Sequence, residues 1–244
     1  MNVIRMSATA LVALASLFAT ACIDDVIAVH GSGEMESREF EFDAIDALAV
    51  ARSFAVDVRV EPGADARVTV TMDENLFDYL VIEDRAGQLL IDATRNLRPS
   101  SGTSIHVTVA SLDLLEASGA SDVTVQGAVE GAIVQLDASG ASHIRLADVV
   151  AGDLDVDASG ASLVVVERGR VTDLRVEASG ASAVDASSVE AIDAEVQASG
   201  ASEIEVGAAR SVTGEASGAS TVSVFGSPGE VDVTTSGASS IDQR

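Results

Sequence analysis

From residue 111 onward, apolar and polar residues alternate in short runs. Leu154, Val156 and Ala158 are interleaved with Asp153, Asp155 and Asp157; Leu174, Val176 and Ala178 repeat the pattern, as do Ala194, Val196 and Ala198. Each run ends in Ser-Gly-Ala-Ser, and the alternation resumes beyond it with Val123 and Val125, Ile144 and Leu146, Val164 and Val166, Ile204 and Val206, and Val222 and Val224. A period of two is that of a strand with one face buried and the other wet. No run carries the 3.6-residue spacing of a helix, and the Gly and Ser content opposes helix formation.

The tetrapeptide begins at Ser118, Ser139, Ser159, Ser179, Ser199, Ser217 and Ser236, a period of about 20 residues. A fixed period of that size marks a solenoid. Two short strands meeting at a glycine corner, followed by a variable connection, fill one such unit, because glycine takes the positive φ that the corner needs. Stacking at ~4.8 Å sets each corner Ser beside the next, so the hydroxyls are expected to hydrogen-bond along the ladder. The predicted fold is all-β: a right-handed parallel β-helix, a solenoid with coils of about 20 residues.

Upstream the pattern is degenerate. Leu48, Val50, Val56, Val58 and Val60 alternate with small or polar residues around an Ala51-Arg52-Ser53-Phe54 corner; Val68, Val70 and Met72, then Ile105, Val107 and Val109, predict further strands. Residues 35–110 are therefore expected to form irregular coils that cap the repeat coils of 111–244, within one domain spanning 35–244. Asn96 to Gly102 is the expected exposed loop.

The chain opens MNVIRMSATALVALASLFATAC. One basic residue, an apolar stretch too short for an ordinary membrane span and a small-residue end predict a signal peptide over 1–21. Ala19-Thr20-Ala21-Cys22 resembles the lipobox of bacterial lipoproteins, which implies lipid on Cys22, the single cysteine of the chain. Ile23 rather than Asp after it implies the outer membrane, with the chain facing either the cell surface or the periplasm. Residues 22–34 read as a tether.

Composition narrows the function. Hydrophobic residues make up 47% but aromatics only 3%, so Val, Ile, Leu and Ala must fill the core. A net charge of −25 excludes nucleic acid as a general partner, since phosphates would be repelled over most of the surface. It equally opposes attachment to an anionic membrane by charge alone.

Two residues before each tetrapeptide stand Glu116, Asp137, Asp157, Glu177, Gln197, Glu215 and Thr234. On a β-helix these form one outward column, and like charges ~4.8 Å apart repel by roughly 1 to 3 kcal/mol per pair. The column Glu116, Asp137, Asp157, Glu177 and Glu215 is accordingly a candidate ladder for weak binding of calcium, which prefers several carboxylate and carbonyl oxygens. A solvated acidic face is the plainer account. His30, His106 and His143 lack cysteine partners and predict no firm metal site. The repeated serines have no adjacent histidine to act as base, so no catalytic residue is assigned.

Gly31-Ser32-Gly33, Arg38, Phe40 and Phe42, Ile45, the V-x-V-x-V strand, Pro62-Gly63, Glu74-Asn75-Leu76 and the recurring S-G-A-S together resemble the head GIN domain family of auto-transporter adhesins. The resemblance covers nearly all of the chain after the signal peptide and implies a β-helical envelope protein. The residues after Ser236 are too few for a membrane barrel, so the transporter part of that name is not expected to apply. The function expected is a non-enzymatic, lipid-anchored adhesin or surface scaffold contacting a glycan or protein at the cell surface. The competing expectation is a polysaccharide-active enzyme or carbohydrate-binding protein on the same fold. Ice or mineral binding by the corner ladder is disfavoured by the mixed residues beside it. The last coil lacks a recognisable cap, which predicts end-to-end homodimers.

Overall fold

A computed structural model describes residues 28–244. The cap contributes β1 (Val29–His30), β2 (Met35–Phe42), β3 (Ala47–Val50), β4 (Ala55–Val60), β5 (Ala66–Asp73), a 3-10 turn (Glu74–Tyr79), β6 (Leu80–Arg85), β7 (Gln88–Ala93), β8 (Leu97–Arg98) and β9 (Ser104–Val109). The repeats contribute β10 (Leu114–Ala117), β11 (Asp122–Ala138), β12 (His143–Ala158), β13 (Leu163–Val166), β14 (Gly169–Ala178), β15 (Ala183–Ala198), β16 (Glu203–Ala216), β17 (Thr221–Gly226), β18 (Glu230–Thr235) and β19 (Ser240–Gln243). Together they build a β-solenoid of about 6 turns.

Each regular coil has three sides. The side before the corner stacks β3, β10, the second halves of β11 and β12, β14, the second halves of β15 and β16, and β18, all parallel. The side after it stacks β9, β4, the first halves of β11 and β12, β13, the first halves of β15 and β16, β17 and β19. The variable connection expected from the sequence is itself a third parallel side in the central coils, where Val129 to Gly131 pair with Val149 to Ala151 and these with Gly169 to Val171. Val123, Val125, Val129, Val134 and Leu136 all point inward from one coil and are at most 1% exposed. A fully buried aliphatic side chain of this kind stabilises by about 1.5–3 kcal/mol, and this repeated burial is what holds the rod together.

The corner explains the tetrapeptide. Gly140 has φ 75°, and a Cβ built there would sit 2.6 Å from the carbonyl oxygen of Gly119 in the preceding coil, so only glycine fits. Ala141 N–H donates to that same Gly119 carbonyl at 2.7 Å, which fixes the coil spacing at the turn. The serines do not form the expected hydroxyl ladder. The second serine turns inward and is buried in the first six motifs, while Ser239 in the last coil is half-buried; Ser182 Oγ donates to the Ser179 carbonyl of its own turn at 2.8 Å and approaches the Ala158 carbonyl of the preceding coil at 3.0 Å. Backbone carbonyls are stronger acceptors than a neighbouring hydroxyl and are already aligned there, so they capture the proton. The first serine stays at the rim.

The cap departs from the coils expected for residues 35–110. The β3/β4 coil lies between the β7/β9 pair on one side and the β10/β11 coil on the other, out of chain order. Other cap pairings are antiparallel: β5 pairs with β9 and β2, and β6 with β7; β1 and β8 form a separate parallel pair. Asn96 to Gly102 is not simply a loop, because it contains β8, which pairs with β1. The tether likewise ends early, since Val29 and His30 already belong to that pair.

Candidate functional site

The side before the corner is a face of carboxylates in three outward columns. Register places Glu116, Asp137, Asp157, Glu177, Gln197, Glu215 and Thr234 on successive rungs nearest the corner. The five acidic residues expected to share a column therefore do so, with Gln197 as the break between Glu177 and Glu215. Beside them run Gln135, Asp155, Arg175, Glu195, Thr213 and Asp232, and then Asp153, Asp173, Asp193, Ser211 and Glu230. These two further columns were not singled out in the sequence, although the same alternation carries them.

Repulsion along the columns is relieved unevenly. Arg175 bridges the rungs above and below it, 3.7 Å from Asp155 and 3.2 Å from Glu195. Arg210 pairs with Asp193, and Gln88 Nε2 donates to Glu116 Oε2 at 2.7 Å. Asp137 has no such partner among the described residues. Partial burial, followed by the charges of Asp157, Glu116 and Asp155, pushes its carboxyl above the usual range. A groove of about 290 Å³ runs across the lower columns past Asp153, Asp173, Asp193, Arg175 and Glu195.

Among the described residues no group of three or more His, Cys, Asp or Glu converges so as to hold a metal ion. His106 and His143 stand exposed on the opposite side of the corner, 3.5 Å from Asp57 and 4.0 Å from Asp122 respectively. Cys22, the expected lipidation site, lies outside the described residues.

A buried carboxylate escaped the sequence reading. Asp73 is buried at the end of β5 and accepts from Ser100 Oγ at 2.6 Å, Ser100 N–H at 2.9 Å and Gly33 N–H at 2.7 Å. The Ser100 hydroxyl, then its N–H, hold the Asp73 carboxyl below the usual carboxylate range. Asn75 accepts from Ser32 N–H at 2.9 Å and donates to the His30 carbonyl at 2.8 Å. Gly31 packs on the Asp73 carboxylate so closely that a side chain there would overlap it. The Gly31-Ser32-Gly33 and Glu74-Asn75-Leu76 landmarks are thus two halves of a latch that fastens the chain entry to the cap.

Residues 41–228 match the family described as "Putative auto-transporter adhesin, head GIN domain". The chain belongs to this family. Solved structures share the fold of this head GIN chain: a putative adhesin from Bacteroides fragilis superposes with a TM-score of 0.83 at 14% identity, covering 88% of this chain and 100% of its own. A putative adhesin from Parabacteroides distasonis gives 0.72 at 17% identity, covering 88% and 99%. A putative lipid binding protein from the same species gives 0.68 at 23% identity, with the same coverage. No curated protein matches the chain in sequence.

Proposed function

We propose that this head GIN protein is a non-enzymatic adhesin or surface scaffold, held at the outer membrane by lipid on Cys22. One observation carries the non-enzymatic part: from Leu114 onward no segment between described strands is longer than four residues, so nothing rises beside the carboxylate columns to wall a cleft. Glycoside cleavage needs two carboxyl groups held in unlike environments around a scissile bond, whereas here carboxylates recur rung after rung on an open face. Such a face suits multivalent contact, where many weak sites add through effective concentration. Calcium would act on it by bridging neighbouring rungs.

Six residues separate Cys22 from Val29, and the seven steps between the two reach at most roughly 25 Å. Lipid at Cys22 would therefore hold the cap near the bilayer and leave the repeat coils to project from it. The test is a pair of experiments on intact cells: lipidation scored with globomycin and a Cys22→Ala variant, and exposure scored by added protease. A lipidated chain cut from outside, whose loss reduces binding of the cells to neighbouring cells or matrix glycans, supports the adhesin. A lipidated chain shielded from protease removes adhesion and leaves an envelope scaffold. Turnover of a glycan by the purified protein would overturn the non-enzymatic reading.

A further inference from the structure

The backbone hydrogen bonds of the corner column end at Ser53. In each repeat the residue after the left-handed glycine donates to the corner carbonyl of the coil before it, as Ala161 does to Gly140 and Ala141 to Gly119, both at 2.7 Å. Ala120 donates in the same way to Arg52, which takes the left-handed conformation at φ 69° although it is not glycine. The next N–H in this column belongs to Ser53. Beyond β7 the chain leaves the stack to form β8 instead of turning another corner, and among the described residues no group accepts the Ser53 N–H. The vacated corner is a cavity of about 120 Å³ lined by Arg52, Ser53, Phe54, Arg95, Leu97 and Pro99.

A second observation concerns Arg95. The chain has 39 acidic residues against 14 basic ones, and its arginines are widely paired. Among the described residues Arg95 is the one arginine whose guanidinium has neither an ion pair nor a hydrogen bond; it rests 5.6 Å from the ring of Tyr79. Arg52, on the same wall, is committed to Asp92 at 2.9 Å and to Asn96.

We propose that this cavity binds a single carboxylate carried on a small, partly apolar body. One carboxylate oxygen takes the Ser53 N–H and completes the missing rung, in the role that a corner carbonyl plays in every other coil. The other oxygen meets the guanidinium of Arg95, whose planar fork matches a carboxylate. Phe54, Leu97 and Pro99 receive the apolar part. At the liquid share of about 30 Å³ per water, the volume holds roughly four water-sized groups, enough for the carboxylate and a few adjoining atoms, with the rest of the ligand left outside. Polyanions are disfavoured by the net charge of −25. The proposal does not rest on the adhesin reading.

The test is an NMR titration of the purified protein, following the Ser53 amide, with two carboxylates, N-acetylglycine and D-glucuronate. N-acetylglycinamide and D-glucose serve as their uncharged counterparts. At least one carboxylate is expected to shift the Ser53 amide with a Kd on the order of 1 mM, while its counterpart does not. Arg95→Gln, an exposed substitution whose fold is checked by circular dichroism, is expected to weaken binding by roughly tenfold or more, and Arg95→Lys to restore part of it. Binding of N-acetylglycine alone identifies a peptide terminus as the source, and of glucuronate alone a uronic acid. The site is overturned if neither carboxylate shifts Ser53, if the uncharged counterparts bind equally well, or if Arg95→Gln binds as the parent does.

Discussion

Ser142 Oγ lies 2.9 Å from the carbonyl of Ala117, across the boundary between two coils, and equally close to the carbonyl of Ser139 in its own turn. One proton is shared between these two acceptors, and the side chain is buried. The second serine therefore ties turn to stack while the first decorates the rim, except that Ser118 and Ser217 also reach a carbonyl of the preceding coil, at 3.5 Å and 3.4 Å. Ser182→Ala is expected to destabilise by about 1–2 kcal/mol, since a buried hydrogen bond is lost. Ser179→Ala, at the exposed position, should stay within about 0.5 kcal/mol of the parent. Urea unfolding of the two variants checks this; equal effects would show that the inward serine has no special role.

Glycine is required at the corner for two separable reasons, and Gly102 isolates one of them. Both Gly140 and Gly102 have positive φ, 75° and 94°, but a Cβ at Gly102 meets nothing within 4 Å. Gly102→Ala bears only the left-handed penalty of about 1–2 kcal/mol. Gly140→Ala adds the overlap with the Gly119 carbonyl and is expected to cost about 3 kcal/mol or more. Similar melting temperatures for the two variants would mean that the stack yields at the corner.

The repeat coils were legible in the sequence because a two-residue period and a fixed 20-residue spacing report the same geometry twice. Given that geometry, the column from Glu116 to Glu215 follows by counting. The cap was less legible. Val68, Val70 and Met72 alternate just as Val56 and Val58 do, yet β5 runs antiparallel to β9 while β4 runs parallel to it. Alternation reports which face is buried and says nothing of strand direction. Asp73 was invisible for a related reason: its partners, Gly33 and Ser100, are 40 and 27 residues away, and no local pattern marks a carboxylate that will be buried.

Asp73 predicts an acid-sensitive latch. Its folded-state pKa is depressed by the Ser100 and Gly33 hydrogen bonds. Its contribution is therefore complete above the ordinary carboxylate range and is lost as pH falls through the lower, folded value. Asp73→Ala should speed amide hydrogen exchange by roughly tenfold or more at residues 29–34 and 97–101 while leaving the repeat coils protected. Unchanged exchange in those two segments would show that the β1–β8 pairing holds the chain entry without the carboxylate.

Calcium separates bridging from simple screening on the carboxylate face. Any salt weakens repulsion between exposed like charges, so sodium chloride alone should raise the melting temperature. A divalent ion between rungs such as Asp137 and Asp157 adds direct coordination. Millimolar calcium is then expected to raise the melting temperature beyond sodium chloride at equal ionic strength, with a measurable heat on calorimetric titration. Matched shifts and no heat would reduce the face to a solvated surface.

Asp137 carries the opposite pH signature to Asp73. Its pKa is raised in the folded state, by partial burial first and then by Asp157, Glu116 and Asp155. Above the raised folded value the residue is ionised in both states, and the folded state bears the extra cost. As pH falls through the raised folded value the native protein takes up a proton before the unfolded chain does, so stability rises until the ordinary Asp range is reached and then levels off. Asp137→Asn removes the cost and should stabilise the protein at pH 7 by about 0.5–1 kcal/mol, the range for a cross-strand charge pair partly screened by solvent. That gain should shrink toward zero near pH 4. A variant whose advantage is the same at both pH values would show that packing, rather than charge, sets the cost at this rung.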